Sequence, residues 1–294
     1  MSGLSDNLRG ALLMMASMAA FTFNDVCIKA TGGAVPLNQL LFLRGVLTSI
    51  FIFILALKLR SVKLTLPAKD WALIAVRTLS EIGAAYFFLT ALFNMPIANV
   101  TAILQVLPLT VTLGAALFFR DPVGWRRMTA ILVGFCGMLL IVRPGPDGFN
   151  QYAIYGMIAV VFVTARDLAT RRMSPATPSM TVTLSASVGV MLFFGAAAMF
   201  EPWTPVATRE ITLIVGASVF IIGGYLFSVM VMRIGEVSFV APFRYTGLLW
   251  ALILGLLLFG DWPDPITLLG AAIVVSSGVF ALYRERKVAR RSSG

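Results

Sequence analysis

The chain has 294 residues, of which 59% are hydrophobic and only 12% are charged, with 23 Lys and Arg against 13 Asp and Glu. An average soluble domain is about 45–50% apolar and about 25% charged, so this composition excludes a soluble globular fold and a disordered chain. There is no histidine, and the two cysteines, Cys27 and Cys136, lie far apart in apolar runs. We therefore expect no disulfide framework, no metal site and no cofactor.

Long apolar segments fill most of the chain. A bilayer core about 30 Å thick requires about 20 mostly apolar residues per helix, and windows of that size predict an all-α membrane protein with ten transmembrane helices. The runs are too long for typical strands and lack the alternation of barrel strands. The first span does not read as a signal peptide, because Asn24, Asp25 and Lys29 stand where cleavage would occur. The predicted spans run from Leu8 to Ala30, Leu37 to Leu57, Trp71 to Phe93, Ala98 to Phe119, Trp125 to Val142, Tyr152 to Arg172, Thr181 to Phe200, Ile211 to Arg233, Val237 to Phe259 and Pro265 to Tyr283.

The Lys and Arg residues lie mostly on one side of this arrangement. Sixteen fall on the side that holds both termini and three on the other side, while four lie inside spans. By the positive-inside rule, both termini are expected in the cytoplasm of a bacterial-type inner membrane. The same distribution explains the net charge of +10 without a nucleic-acid partner. The basic tail from Arg284 to Arg291 is expected to hold the last helix against anionic headgroups.

The second half of the chain repeats features of the first half. Residues 22–29 match residues 164–171, so that Asp25 pairs with Asp167, and Asp121 and Asp261 each precede the closing helix of their half. Five spans per half is an odd number, which predicts two five-helix repeats of opposite orientation, residues 1–144 and 145–294. Asp25 and Asp167 then lie at opposite depths, where each could serve a gate on its own side.

Ten spans in two halves, the terminal acids and the early Asn24–Asp25 pair resemble the EamA-type branch of the drug/metabolite transporter superfamily. The resemblance implies two four-helix sets around a central cavity, with the fifth and tenth helices at the periphery, in a monomer or homodimer. Within the superfamily, the chain looks similar to YddG-type exporters of aromatic and other large neutral amino acids. It departs from the family pattern at Asp121 and Asp261, where a glutamate is usual.

Seven ionisable side chains lie inside predicted spans and are candidates for a functional site, because such groups are costly in a bilayer unless they are paired or hydrated. Arg77 and Glu81 are four residues apart on one helix face, so they either neutralise each other or exchange partners with a substrate. Arg166 and Asp167 are adjacent and are expected to pair elsewhere. The seven are Asp25, Arg44, Arg77, Glu81, Arg166, Asp167 and Arg244.

Among these seven residues, Arg244 is the more specific candidate for substrate binding. Tyr245 follows it, Trp250 lies two turns on, and Gln105 is its counterpart in the first half. A guanidinium beside aromatic rings suits a carboxylate attached to an apolar body, although a structural tie to an acid is the alternative. Arg44 is a second candidate anion contact.

Further candidates fall into three groups. Tyr86 and Tyr225 are paired by the repeat and could line a cavity. Asn24 joins Asp25, Asp167 and Arg166 as a candidate for gating or proton coupling. Pro108 and Pro242 lie inside the fourth and ninth spans and are candidate hinges. Lys29 and Arg171, at span ends, are expected to extend to the interface.

These features predict a secondary transporter for a small molecule that works by alternating access. The best substrate class is an amino acid or similar zwitterion that is exported, with transport either facilitative or coupled to protons through carboxylates. An uptake carrier for a vitamin, a nucleotide-like compound or an organic anion is one alternative. An intramembrane lipid-modifying enzyme is another, disfavoured because the sequence has no histidine, metal set or nucleophile motif.

Overall fold

A computed structural model describes residues 6–58, 62–63, 65–121, 123–143, 151–234 and 237–292 of the chain. Within these ranges the regular secondary structure is entirely helical. Ten helical segments are long and apolar enough to cross a membrane, in agreement with the ten predicted spans. The predicted boundary between the two halves, at residues 144 and 145, lies outside the described residues.

We number the spans α1 to α10 in chain order, and their bounds follow the predicted windows within a few residues, except at the end of α10, which extends to Ser292 instead of Tyr283. A one-turn helix, Val237–Val240, precedes α9. The spans are α1 (Asp6–Lys29), α2 (Leu37–Lys58), α3 (Ala68–Asn94), α4 (Ile97–Leu104 and Leu107–Phe119), α5 (Trp125–Val142), α6 (Gln151–Arg172), α7 (Ser179–Ala198), α8 (Thr208–Ile234), α9 (Ala241–Tyr245, Thr246–Leu254 and Gly255–Phe259) and α10 (Pro265–Ser292).

Proline and glycine set several helix ends. Pro67, Pro96 and Pro178 directly precede α3, α4 and α7, and the carbonyl of each accepts amide hydrogen bonds from the first turn. Proline suits this place because the first amides of a helix have no intrahelical partner. After α1 the chain turns through Gly32 and Gly33, whose φ angles are +60° and +77°. Only glycine adopts these angles without strain.

Both spans that contain the candidate hinge prolines are irregular. In α4 the helix stops at Leu104 and restarts at Leu107. Pro108 accounts for the break, because it has no N–H to donate to the Leu104 carbonyl and its ring would collide with that group. In α9, Pro242 lies in a 3₁₀ segment and the span ends in a π-helical turn at Gly255–Phe259. Such segments often mark places where a helix bends.

The main helix contacts join one of the first five spans to one of the last five. α1 packs on α8, α3 on α6, α2 on α7 and α5 on α10, while α4 packs mainly on α6 and α9 mainly on α1, with a smaller contact between α4 and α9. Small residues permit the closest approaches. A Cβ atom on Gly189 of α7 would collide with Cγ2 of Thr78 on α3, and Gly137 of α5 meets Gly270 of α10 backbone to backbone. The helices of each half of the chain therefore pack mainly against helices of the other half.

Candidate functional site

Five helices bring candidate residues together in one polar region. α1, α2, α3, α6 and α8 each contribute to it, and its charged groups act on one another electrostatically across the helices. It contains three carboxylates and three guanidinium groups, so their formal charges balance. We call it the polar cluster, and its members are Asn24, Asp25, Arg44, Arg77, Glu81, Arg166, Asp167 and Tyr225.

On α1 and α2, an amide bridges an acid and a base. The Asn24 Nδ2 group donates to Asp25 Oδ1 at 2.8 Å, and the Arg44 Nη1 group donates to Asn24 Oδ1 at 3.3 Å. Asn24 is buried, with 2% of its surface exposed. A guanidinium has five N–H donors, and the bond that Arg44 makes here is long and goes to a neutral amide. Arg44 thus has donors to offer to an anion, and it also feels the charges of Asp25 and Glu81.

On the α3 and α6 side, Arg166 holds two acids. Its Nη1 atom lies 3.4 Å from both carboxylate oxygens of Glu81 and its Nε atom lies 2.9 Å from Asp167 Oδ1. The sequence predicted that the adjacent residues Arg166 and Asp167 would each pair with another residue. The bond between them shows that this prediction is wrong, because the long side chain of Arg166 folds back to its neighbour. Two carboxylates on one guanidinium form a network of charge-assisted hydrogen bonds.

The structure also corrects the expected pair of Arg77 and Glu81. Glu81 bonds to Arg166 of α6, while Arg77 donates from Nε to Thr170 Oγ1 at 3.1 Å. Arg77 Nη1 is a buried donor that has no hydrogen-bond partner among the described residues. Close packing of α3 on α6 favours contacts between the helices over the pair along one helix face.

Aromatic rings flank the polar cluster. The rings of Phe21 and Tyr225 meet edge to face with centroids 5.5 Å apart, so α1 and α8 share an aromatic contact at the cluster. Farther along α3, Phe87 stacks on Phe162 of α6 and touches Tyr86 edge to face. Tyr86 itself is 41% exposed. Of the two tyrosines paired by the repeat, Tyr225 is the one that joins the charged groups.

Gln105 and Tyr245 meet at a second place, between α4 and α9. The Gln105 side chain donates from Nε2 to the Tyr245 carbonyl at 3.3 Å, where α4 is interrupted. The Tyr245 ring is 6% exposed and its hydroxyl points at Gly278 of α10, with no hydrogen-bond partner among the described residues. This arrangement ties the irregular segments of α4 and α9 to each other and to α10.

Arg244 and Trp250 do not join the polar cluster in this structure. Arg244 is exposed on the 3₁₀ segment of α9, and it is not among the charges that act on Arg44, Arg166 or Tyr225. Trp250 is half-buried on the regular part of α9. Eight predicted candidates are therefore brought together, whereas Arg244, Trp250, Gln105, Tyr245 and Tyr86 lie apart from them.

Some contacts were not predicted from the sequence. Thr110 and Thr164 share a hydrogen bond of 2.7 Å between α4 and α6, and a lone hydroxyl in an apolar helix gives no signal of such a partner. The Nζ atom of Lys29 donates to the Leu92 carbonyl at 2.9 Å and lies over the Phe259 ring, two contacts that its place at the end of a span did not predict. Within the described residues no group of Cys, Asp and Glu side chains is arranged to hold a metal ion.

Comparison with known proteins gives a consistent family. The model of the EamA-like transporter family matches residues 8–143 and again residues 150–283. The riboflavin transporter of Vibrio cholerae is 27% identical over 97% of this chain and 96% of its own length. The pseudopaline exporter of Pseudomonas aeruginosa is 24% identical over 94% of this chain and 96% of its own length. The S-adenosylmethionine uptake transporter of Rickettsia conorii is 24% identical over 98% and 97%.

The fold also has a counterpart among solved structures. One crystal structure superposes on 95% of this chain and 98% of its own chain, with a TM-score of 0.67 and 18% sequence identity. At this identity the likeness concerns the fold alone. Ten apolar helices and a family match that covers both halves agree on a multi-pass membrane transporter rather than an enzyme. The chain belongs to the EamA-like transporter family.

Proposed function

We propose that this protein is a secondary transporter that works by alternating access through two five-helix repeats of opposite orientation. Two observations support the repeats. The family model matches twice, and the helix pairing stays the same when each helix of the first half is exchanged with its counterpart in the second half. Exchange turns the α1–α8 contact into the α6–α3 contact and leaves α2–α7, α4–α9 and α5–α10 unchanged. Inverted repeats of this kind rock against each other around a site near the midplane.

The proposed orientation places both termini in the cytoplasm of a bacterial-type inner membrane. The distribution of Lys and Arg, sixteen against three, supports it through the positive-inside rule. The proposed boundary of the repeats, between residues 144 and 145, falls in the gap between the two family matches.

The proposed substrate is a small zwitterion with a sizeable apolar body, and the best class is an aromatic or large neutral amino acid that is exported. The balanced charges of the polar cluster are the observation that carries this proposal. A site with equal numbers of guanidinium and carboxylate groups accepts a ligand with both charges without creating an unpaired ion in a medium of low dielectric constant. A simple lipophilic cation or a strongly anionic ligand would leave such a charge.

Within this proposal Arg44 is the first candidate for the substrate carboxylate. Fewer of its N–H donors are already used than those of Arg166, since Arg166 holds both Glu81 and Asp167. Glu81 and Asp25 are the candidates for the substrate ammonium group. Phe21 and Tyr225 supply an aromatic surface beside these charges. Arg244 stays a second candidate for the carboxylate, on a different part of α9.

Uptake of a larger metabolite is the second candidate function. Relatives that transport riboflavin and take up S-adenosylmethionine match nearly the full chain. Both the flat rings of such compounds and the side chain of an aromatic amino acid would suit the contact of Phe21 with Tyr225. A carrier of this type runs in both directions, so the gradient determines the direction of net transport.

Purified protein in liposomes tests the proposal. Liposomes loaded with single amino acids, riboflavin, S-adenosylmethionine or organic anions are diluted into substrate-free buffer, and efflux is followed for wild type and Arg44→Gln. Arg44-dependent efflux of a large neutral amino acid supports the proposal. Retention of every amino acid, together with efflux of riboflavin or S-adenosylmethionine, would favour the second candidate.

A further inference from the structure

The two ends of the helical bundle carry matching charged contacts that the polar cluster does not use. α3 runs from one end to the other, since its 27 residues span about 40 Å at 1.5 Å per residue. At its start, the Asp70 carboxylate accepts a bond from the Thr177 hydroxyl at 2.8 Å, in the loop that follows Arg171. At its end, the Leu92 carbonyl accepts the bond from Lys29. We call these places the Arg171 end and the Lys29 end.

At the Arg171 end, an ion pair joins α6 to the residues after α4. Nη2 of Arg171 lies 2.7 Å from Oδ2 of Asp121. The guanidinium carbons of Arg171 and Arg172 lie 5.9 and 4.2 Å from the centroid of the Phe119 ring. An arginine over an aromatic face adds a cation–π attraction to the ion pair. The last turn of α6 is thus held to the last turn of α4.

At the Lys29 end, the same types of residue meet at the ends of α1 and α9. Nζ of Lys29 lies 5.6 Å from the centroid of the Phe259 ring, and the charge of Asp261 acts on it. The hydrogen bonds of Lys29 go to the carbonyls of Leu92 and Met95, at 2.9 and 2.5 Å. Lys29 is thus held to the end of α3, with its aspartate near but not bonded to it.

The two sets of residues correspond along the chain. Arg171 follows Lys29 by 142 residues, and Phe259 and Asp261 follow Phe119 and Asp121 by 140. In each set the base comes from one half of the chain and the aromatic and the acid come from the other half. The two sets differ in the partner of the base. Arg171 contacts its aspartate, whereas Lys29 is held by backbone carbonyls.

We propose that Arg171–Asp121 and Lys29–Asp261 are two latches that close alternately, one at each end of the transport path. This proposal rests on the alternating-access function above, but not on the identity of the substrate. In this structure the latch at the Arg171 end is closed. The side chains of Arg171 and Asp121 are 54% and 38% exposed. An ion pair this exposed shifts a two-state ratio by no more than about fivefold, which allows it to open in each cycle.

Distances between spin labels at the two ends test the latches in the full-length protein in nanodiscs. Cys27 and Cys136 are replaced by serine, and cysteines for labelling are placed at exposed, corresponding positions. One pair, Ala176→Cys with Arg126→Cys, reports on the Arg171 end. The other pair, Ala34→Cys with Ile266→Cys, reports on the Lys29 end. Each pair is measured in the latch-intact protein and with Asp121→Asn or Asp261→Asn.

Opposite, reciprocal shifts are expected. Asp121→Asn should raise the long-distance fraction at the Arg171 end several-fold and lower it at the Lys29 end, and Asp261→Asn should do the reverse. The double change Arg171→Asp with Asp121→Arg reverses the ion pair and should restore the distribution of the latch-intact protein, which separates loss of the latch from loss of folding.

Two results would overturn the latches. The first is that each variant changes distances only at its own end. The second is that neither variant changes any distance, although the charge-reversed pair is folded. A failure of the proposed substrate class is seen separately, because liposomes would then retain amino acids while the reciprocal distance shifts persist.

Discussion

The guanidinium of Arg166 on α6 lies 3.4 Å from both carboxylate oxygens of Glu81 on α3. It also bonds to Asp167, so one cation satisfies two acids. All three side chains are only 20–28% exposed. Removal of one partner from such a network leaves an uncompensated charge, and the cost depends on how many partners that residue held.

Arg166→Gln should therefore destabilise the protein more than Glu81→Gln. The first change leaves two carboxylates unpaired, whereas the second leaves Arg166 bonded to Asp167. We expect a difference of about 2 kcal/mol, which is less than the roughly 3–5 kcal/mol of a fully buried pair because these side chains are partly exposed. Thermal unfolding in detergent, followed by tryptophan fluorescence, measures it. Equal midpoints for the two variants would contradict the network.

Gly189→Ala should weaken the contact of α7 with α3. The new methyl group would collide with Cγ2 of Thr78, and overpacking of this kind costs about 1–3 kcal/mol. Thr78→Ser removes Cγ2 and should restore the stability of the double variant. Gly223→Ala is the matched control on α8, since a Cβ atom there meets nothing within 4 Å. The same stability loss in Gly189→Ala with and without Thr78→Ser would refute the clash.

Pro108→Ala should slow transport and leave the fold intact. Alanine restores an N–H group for the Leu104 carbonyl, so α4 can become one continuous and stiffer helix. We expect at least a threefold lower initial rate of efflux and an unchanged or raised unfolding temperature. Pro242→Ala is the corresponding change in α9. Full transport by Pro108→Ala would remove the support for a hinge at this position.

The pH dependence of transport should originate in the polar cluster. Asp25, Glu81 and Asp167 are the carboxylates there, so a proton that couples to transport within the cluster would bind one of them. Asp25→Asn, Glu81→Gln and Asp167→Asn are compared with wild type over a range of external pH at a fixed substrate gradient. We expect a flattened profile in at least one variant. A wild-type profile in all three would exclude proton coupling through these groups.

The number and approximate bounds of the spans were predictable because length and hydropathy decide which segments cross a bilayer. The irregular parts of α4 and α9 were less predictable. Pro108 and Pro242 indicated where bending was to be expected, but tertiary packing decides whether a proline kinks a helix or interrupts it, as at Leu104. The π-helical turn at Gly255–Phe259 had no sequence signal.

The members of the polar cluster were predictable because ionisable groups inside spans are rare. Their partners were not. The four-residue spacing indicated a pair of Arg77 with Glu81, but the contact of α3 with α6 pairs Glu81 with Arg166 instead. The aromatic neighbours of Arg244 in the sequence favoured a role in substrate binding. Its position, however, depends on the rotation of the 3₁₀ segment that carries it. Spacing along one helix does not determine that rotation.

The proposed contact of Arg44 with the substrate carboxylate is tested by a competition measurement. Efflux of a large neutral amino acid from liposomes is inhibited with the same amino acid or with its methyl ester, which lacks the negative charge. We expect wild type and Arg244→Gln to prefer the free acid by about tenfold or more, which is typical of a hydrogen bond to a charged group, and Arg44→Gln to lose that preference. An unchanged preference in Arg44→Gln, or its loss in Arg244→Gln alone, would show that Arg44 does not bind the substrate carboxylate.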